Sequence, residues 1–373
     1  VLALLDGAIA ELELGPTDSF SADIGPLIDK AARLRVEAYI DAMRANRHRV
    51  LTRSLPDTCA KGHFVAPTLI ELASPLQLDR EVFGPVLHVI RYAACDLDDL
   101  LDALAATGYG LTLGIQSRVD ETIAHITGRA RVGNIYVNRN MIGAVVGVQP
   151  FGGEGLSGTG PKAGGPLSLR RLVRGGPLPL ADLPRPACSA LDELEAWLIG
   201  DAVPLNEAAR GRLRDHLAAY RRASLAGLAL ALPGPTGETN TLGFYPRGAV
   251  LGLADSLEAW LHQLAAVLAT GNRLRVLAGQ PAEAWLSMPP PALQARVERC
   301  TDAFAGSVAV LADLPAPETA HWRRACAEQG GPIRPFLVPE PGYAIERLIV
   351  ERCITDNITA CGGNPRLMRL GDA

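Results

Sequence analysis

The side chains best suited to nucleophilic, acid–base or metal chemistry in this 373-residue chain are seven cysteines and seven histidines. The cysteines lie at positions 59, 95, 188, 300, 326, 353 and 361. They form no C-x-x-C pair, and no Cys/His spacing suits zinc. Their odd number and scatter predict free thiols in a reducing cytoplasm, packed mostly as small hydrophobes. The histidines, at 48, 63, 88, 125, 216, 262 and 321, include no i, i+4 pair and are expected to be separate surface or core residues. A phosphate-binding reading attaches to Gly153-Glu154-Gly155-Leu156-Ser157-Gly158, which spells G-x-G-x-x-G. That fingerprint needs a strand just before it and a helix opening at its end. Here Gln149-Pro150-Phe151-Gly152 precedes it, while Gly160, Pro161, Gly164 and Gly165 follow, so a loop is expected instead.

The elements around these residues alternate. Residues 1–45 read as two helices, the second opening after Gly25-Pro26 with a stripe of Leu27, Ile28, Ala31, Leu34, Val36 and Ile40. Strand-like 86–92, helical 97–106, strand-like 111–116, helical 119–130 and strand-like 133–138 then follow, the rhythm of a parallel α/β sheet. Nine glycines between Ile142 and Pro166 make that stretch a loop. Four prolines between Gly175 and Pro186 mark a linker. Beyond it, helices are expected over 191–198, 207–230, 257–270, from 292 and over 318–329. Strands are expected over 241–245, 249–253, 273–277, 307–311 and 335–338. The architecture is two α/β units joined by a Pro-rich linker, with no short-period repeat.

Hydrophobic residues make up 48% and charged residues 20% of the chain, so a core can form without disulfides or metals. A net charge of -4 argues against nucleic-acid binding, which needs a concentrated basic surface. No run of 18 uncharged apolar residues exists, so no membrane span is expected. Val1 opens directly into a helical pattern (Leu2, Leu4, Leu5, Ile9) without the marks of a signal peptide, and the chain reads as a piece of a longer polypeptide.

Several motifs share one family. Glu81-Val82-Phe83-Gly84-Pro85-Val86 resembles the E-x-F-G-P motif of aldehyde dehydrogenases. Gly133-Asn134-Ile135-Tyr136-Val137-Asn138, Pro150-Phe151-Gly152-Gly153 and Ser157-Gly158 resemble that family's C-terminal signature in order and spacing. Residues 142–151 are similar to the glutamate semialdehyde (pyrroline-5-carboxylate) branch. Gly158-Thr159-Gly160-Pro161-Lys162-Ala163-Gly164-Gly165-Pro166 resembles the proline utilization A family of bifunctional proline-catabolic enzymes.

The resemblance implies an NAD-dependent oxidation of glutamate semialdehyde to glutamate, and it implies roles. Glu81 would accept hydrogen bonds from the nicotinamide ribose hydroxyls, a task for an ionised carboxylate. Phe83 would lie beside the nicotinamide ring. Gly143 and Ala144 would offer backbone N–H groups to the substrate carboxylate. Phe151 would pack on the substrate's methylene chain. Taken alone, Glu81 reads equally as a surface carboxylate, and Phe83 and Phe151 as core. No catalytic residue is assigned: in the family the nucleophilic cysteine lies upstream of the helix with which this chain begins, as does the half that holds the adenosine. The missing N-terminal part of the same polypeptide is therefore the expected partner, and the isolated chain is expected to be inactive. The FAD of a proline dehydrogenase part would also lie outside this chain. The location implied is cytoplasmic, and the oligomeric state is left open, a homo-oligomer included.

The division expected is 1–174 for the C-terminal part of the catalytic domain, 175–189 for the linker, 190–345 for a second domain and 346–373 for a tail motif. Pro246-Arg247-Gly248-Ala249-Val250 and Gly271-Asn272-Arg273-Leu274-Arg275-Val276 make the second domain similar to a degenerate aldehyde dehydrogenase nucleotide-binding domain. Its oxyanion segment is replaced near Ala254-Asp255-Ser256-Leu257. The tail from Asp356 to Asn364 resembles a segment that packs across the dehydrogenase; equally, it reads as a plain terminal strand and turn. The alternative function is a non-catalytic module that docks on a dehydrogenase and covers its active-site passage. A fragment should expose apolar surface where the rest belongs.

Overall fold

The computed structural model describes residues 1–173, 183, 185–200 and 203–359. The chain divides by compactness into two units, Val1–Thr107 and Gly108–Ala373. Most of the expected linker, residues 175–182 and 184, and the tail from Ala360 to Ala373, including Cys361, lie outside the described residues.

In the first unit, helix α1 (Leu2–Ala10) buries no residue, whereas α2 (Lys30–Ala45) buries Ala32, Val36, Ile40 and Met43. Those four positions recur at helical spacing and form one face. Asp29 caps α2, its carboxylate accepting from Ala32 N at 2.6 Å. The buried face meets Val50, Val65, Ile70, Leu72 and Val86. These belong to or adjoin a three-stranded sheet of β1 (Arg49–Thr52), β2 (Thr68–Leu72) and β3 (Val86–Ile90). Its order is β1-β2-β3, antiparallel then parallel. Helix α3 (Leu97–Ala106) follows with the bounds its pattern predicts. β1 and β2 are additional to the expected elements. Arg49–Thr52 is only four residues long, and Thr68–Leu72 is nearly all buried, so neither shows the alternation that reveals a half-buried strand.

The second unit opens with β4 (Tyr109–Gly110), β5 (Thr112–Ile115), α4 (Asp120–Arg129), β6 (Asn134–Val137) and β7 (Glu154–Gly155). Two helices, α5 (Ser189–Ile199) and α6 (Glu207–Ala223), precede β8 (Ala229–Leu232) and β9 (Glu238–Pro246). The expected helix to residue 230 is cut short. The chain turns extended at Ser224, Gly227 takes a φ of 81°, and the Ala/Leu-rich stretch beyond pairs with β9. Tertiary pairing overrides local helix propensity there. A βα series completes the unit: β10 (Ala249–Ala254), α7 (Leu257–Ala269), β11 (Arg273–Leu277), α8 (Pro291–Gln294), β12 (Val297–Cys300), β13 (Ala309–Asp313), α9 (Ala316–Ala327) and β14 (Phe336–Leu337). The last strand, β15 (Ile349–Asn357), lies in the segment expected as a tail.

Two five-stranded sheets result. One is wholly parallel, in the order β12-β11-β10-β13-β14. The other is β5-β6-β15-β9-β8, with β5, β6 and β15 parallel and β9 and β8 antiparallel. Strands from both sides of the Pro-rich stretch thus share one sheet. Both α/β expectations hold as a fold class, but the pairing is mixed, because a nine-residue strand returns from the far end of the sequence.

Helix α7 is buried at every position from Ala259 to Ala269, the mark of a helix enclosed on all sides. It packs with α5, α6 and the parallel sheet in the largest core cluster. The sequence kept its histidines apart, but the fold does not: His216 on α6 stacks on His262 of α7 with ring centroids 3.8 Å apart. Tyr220 Oη accepts from Tyr343 N at 2.9 Å and shares a hydrogen bond with His262 Nε2 at 2.6 Å. Burial, aided by His216, pushes His262 down to about 3, so the ring stays neutral. Spacing within one helix could not reveal a pair made between two. Leu264→Ala, at the centre of α7, is expected to lower the unfolding free energy by about 2–5 kcal/mol in a urea titration. A loss below about 1 kcal/mol would show that this helix is not tightly packed.

Candidate functional site

The candidate residues fall into two groups, one in each unit. In the first unit, Glu81 and Phe83 lie in the irregular segment between a 3-10 turn at Pro75–Gln77 and β3. Val82 packs against the cluster of Val36 and Ile40, and a Cβ on Gly84 would stand 3.0 Å from Val36 Cγ2. The segment is therefore pinned by its even-numbered residues against α2, and its odd-numbered ones point out. Glu81 is exposed, and the Phe83 ring is 82% exposed. Packed neighbours on both sides hold the ring out in water.

In the second unit, the loop from Arg139 to Phe151 is fixed at its base and open at its tip. Gln149 is 3% exposed. Its Oε1 accepts from Val145 N at 2.9 Å, while its Nε2 donates to Glu238 Oε1 at 3.0 Å and Asn240 Oδ1 at 3.2 Å. Arg139 pairs with Glu238 Oε2 at 2.8 Å in a mostly buried ion pair. Thr355 Oγ1 donates to Asn240 Oδ1 at 2.7 Å. At the tip, Gly143 is exposed with a φ of 137°, a conformation that favours glycine, and no atom lies within 4 Å of where its Cβ would be. The N–H groups of Gly143 and Ala144 make no hydrogen bond among the described residues, unlike the next amide, which Gln149 holds. The tip also exposes Met141, Ile142, Val145 and Val146, the last at 97%. Four apolar side chains displayed together mark a contact surface.

Phe151, half-buried, leads out of the loop, its backbone bridged to Ala163 in both directions at 3.0 and 2.9 Å. Asn134 braces this exit. Its Nδ2 donates to Pro150 O at 3.0 Å, and its Oδ1 accepts from Gly152 N at 3.2 Å and Lys162 Nζ at 2.8 Å. Lys162 Nζ also donates to Gly152 O. Asn138, with a φ of 55°, clasps Ser117 through both side-chain atoms, at 2.8 and 3.1 Å. The two asparagines of the Gly133–Asn138 motif are thus braces, as are Gln149 and Lys162. Sequence reasoning quoted all four without a role for them. The only signal in the sequence is the residue type, an amide or amine in or beside irregular backbone, where unpaired N–H and C=O groups must find partners.

The G-x-G-x-x-G run is a backbone crossing. A Cβ on Gly153 would stand 2.5 Å from Ser157 Cβ and 2.7 Å from Ser157 O, and one on Gly158 would stand 2.6 Å from Gly153 O. β7 within it pairs antiparallel with β4, and no helix follows. The loop expectation holds, and the glycines serve close packing.

In the parallel sheet, the crevice beyond β10 and β13 is where such folds hold ligands. Here β13 ends on Asp313, whose carboxyl is raised by burial and by Asp255 and Glu258. Ser256 caps α7, and Glu258 in its first turn is gripped by Arg212 at 2.7 and 2.8 Å. The helix start is occupied by the chain's own groups, and the added carboxylates disfavour a pyrophosphate.

Burial raises the thiols of Cys300, Cys326 and Cys353, the last to about 11, the reverse of nucleophile activation. Among the described residues no group of three His, Cys, Asp or Glu side chains could hold a metal ion. No helix among them is long and apolar enough to cross a membrane.

Gln149→Ala should speed amide exchange across residues 142–149 and cost about 1–3 kcal/mol through the partners it strands. Unchanged exchange would sink the anchoring argument. Lys162 gives a pH test. Burial holds its amine down at about 8 against an ordinary 10.5, with Cys353, Glu351 and Glu154 opposing that shift. The unfolded chain then binds more protons than the folded one between those values, so this lysine adds stability as pH rises from about 8 to 10.5. Cys353 works against it above pH 9. Lys162→Met should remove the rising contribution, visible as a flatter or falling melting temperature over that window relative to the parent chain. Identical pH profiles for the two would refute it.

The aldehyde dehydrogenase family matches residues 1–174. Over 99% of its length the chain is 42% identical to the bifunctional protein PutA of Escherichia coli strain K12, covering 29% of that protein. Its identity to the Rhizobium meliloti PutA is 42% over 94% of the chain, again 29% of the relative. A 1-pyrroline-5-carboxylate dehydrogenase of Geobacillus sp. strain WCH70 is 37% identical over 42% of the chain and 30% of that protein. The solved structure of proline utilization A from Corynebacterium freiburgense matches the fold of 96% of the chain at a TM-score of 0.67 and 22% identity, over 34% of its own length. The chain thus spans about 29% of the length of the PutA relatives it matches. Residues 1–174 thus match the aldehyde dehydrogenase family, and over nearly its whole length the chain is similar to the bifunctional PutA proteins.

Proposed function

We propose that this chain is the C-terminal part of an NAD-dependent dehydrogenase of proline catabolism that oxidises glutamate semialdehyde to glutamate. The observation that carries the reading is the loop tip at Gly143 and Ala144. It offers two neighbouring unengaged amides on a base fixed by Gln149, Arg139 and Asn134. Adjacent amides of small residues suit a carboxylate, and the aldehyde substrate carries one at the far end from its reacting carbon. Phe151 follows the loop and would lie along the methylene chain between the two ends.

Glu81 and Phe83 fit the nicotinamide end of NAD: an exposed carboxylate, able only to accept, for the ribose hydroxyls, and an exposed ring for the nicotinamide face. NAD supplies the hydride acceptor when bound. The chain's own groups orient and exclude: Glu81 fixes the ribose, Phe83 limits the ring, and the loop amides hold the substrate carboxylate. Attack on the carbonyl needs a thiolate, an oxyanion donor and a base for the deacylating water. The raised thiols of Cys300, Cys326 and Cys353 argue against these three as the nucleophile, which the reading assigns to another segment of the polypeptide. In this reading residues 1–174 complete the catalytic domain and 190–345 form a supporting domain. A proline dehydrogenase part with its FAD lies elsewhere in the same polypeptide. The exposed Met141, Ile142, Val145 and Val146 are the surface against which other segments pack.

The test is NADH formation from NAD and pyrroline-5-carboxylate. The chain alone should give a flat trace, while the longer polypeptide that carries it turns over. In that polypeptide Glu81→Gln should raise the KM for NAD by about tenfold, a charge-assisted hydrogen bond becoming a neutral one. Turnover by the chain alone, abolished by replacing one of its cysteines, would refute the reading.

A further inference from the structure

A second concave site lies in the second unit, away from the loop tip. It is a small pocket between the segment 153–162, the turn after β9 and the start of β15. Arg170, Arg171, Arg247 and Arg347 all line it. Arg247 is locked in place: its Nε donates to Arg347 O at 2.7 Å and its Nη2 to Thr159 O at 3.2 Å. Arg171 Nη2 donates to Gly160 O at 3.3 Å, on the same turn. The Nε atoms of Arg170 and Arg347 are buried and have no hydrogen-bond partner. Among the described residues none of the four arginines forms an ion pair.

The carboxylates on the same wall answer these charges only in part: Glu154 favours the charge on Arg247 but is itself engaged elsewhere. Glu154 is paired with Arg352 at 3.2 Å. Glu351 Oε2 accepts from Lys162 N at 2.7 Å, and its burial favours the neutral acid. Glu346 stands beside Arg347 and partly offsets its charge. What remains is a cluster of guanidinium groups in a half-dry pocket. Burial disfavours the charge on Arg247 and Arg347, and Arg171 adds like-charge repulsion to both. Buried N–H donors without partners and unbalanced like charges are both costly, and an oxyanion cures both at once. Guanidinium forks match the planar pair of oxygens on a carboxylate or phosphate.

We propose that this pocket binds a small oxyanion, the carboxylate or phosphate group of a metabolite, between Arg171, Arg247 and Arg347. Nothing in it belongs to the loop that meets the aldehyde substrate, so it is a second ligand site and does not depend on the proposed dehydrogenase reading. Binding joins three segments far apart in the sequence and stabilises their packing by mass action.

Calorimetric titration of the full chain in low-salt buffer tests this, with inorganic phosphate and succinate as separate probes. Saturable binding of phosphate alone assigns the phosphate class, and of succinate alone the carboxylate class. The affinity should fall with added salt. Arg347→Gln should weaken the bound probe by about tenfold or more, the usual effect of deleting one partner of a buried charge pair. Arg171→Gln, at an exposed position, should weaken it too and guards against a folding defect in the first variant. Arg212→Gln, in the Glu258 pair on α6, should leave it unchanged. No saturable binding of either probe, or full affinity in both the Arg347 and Arg171 variants, would overturn the proposal.

Discussion

The pairing of β15 with β6 on one side and β9 on the other is the constraint on which the second unit depends. Without it, β5-β6 and β9-β8 are two-stranded pieces, each marginal in water. With it they become one five-stranded sheet, and β15 is paired with β9 along its whole length, from Ile349 opposite Pro246 to Asn357 opposite Glu238. The strand is buried at six of nine positions, so it serves as a central strand, not an edge. Polar side chains use the same register. Asn357 Nδ2 reaches Asn138 O across a sequence separation of 219 residues, and Arg352 meets both Glu154 and the Tyr245 ring.

A chain of polar contacts runs from that sheet to the loop tip. Thr355 on β15 holds Asn240 on β9; Asn240 and Glu238 hold Gln149; Gln149 holds Val145 N. Each link contributes about 1 kcal/mol, but breaking one strands a buried group, so the set is rigid out of proportion to its net strength. The order stops short of Gly143. A rigid base with an unengaged tip is what anion capture requires, because the amides are placed but not satisfied.

Much of this was legible and some was not, for separable reasons. Helix α3 and strand β11 were read to their ends, since each shows a clean periodicity between breakers. The glycine run was read correctly as a loop because its flanking Pro and Gly residues forbid the strand–turn–helix context of a dinucleotide fold. The helix through residue 230 was overextended: Ala and Leu fit a helix or a buried strand equally, and β9 decides. Pairings between distant elements leave no local trace, which is why the His216–His262 stack and the central place of β15 were invisible. In the candidate site, the residues that would touch ligand were named through motifs. Asn134, Gln149 and Lys162, which fix the loop from beneath, were missed, because their importance is a matter of burial and partners that spacing does not encode.

The second α/β module then has a physical role that does not need a ligand in its own crevice. Its βα series is closed around α7, and its helix start is filled by Ser256, Glu258 and Arg212. Closing a sheet between strands more than 200 residues apart costs chain entropy, and that cost grows slowly with length but must be met by something already ordered. The module supplies it. The chain enters through β9, folds the parallel sheet locally, and leaves at Leu348, whose carbonyl accepts from Asn272 Nδ2 at 2.8 Å and from Arg247 N at 3.2 Å. Those two bonds set the start of β15 beside the end of β9, so the strand begins in register. On this view the module works as a clamp: its stability is spent on presenting one strand, and through that strand the loop at 139–151 acquires its fixed base.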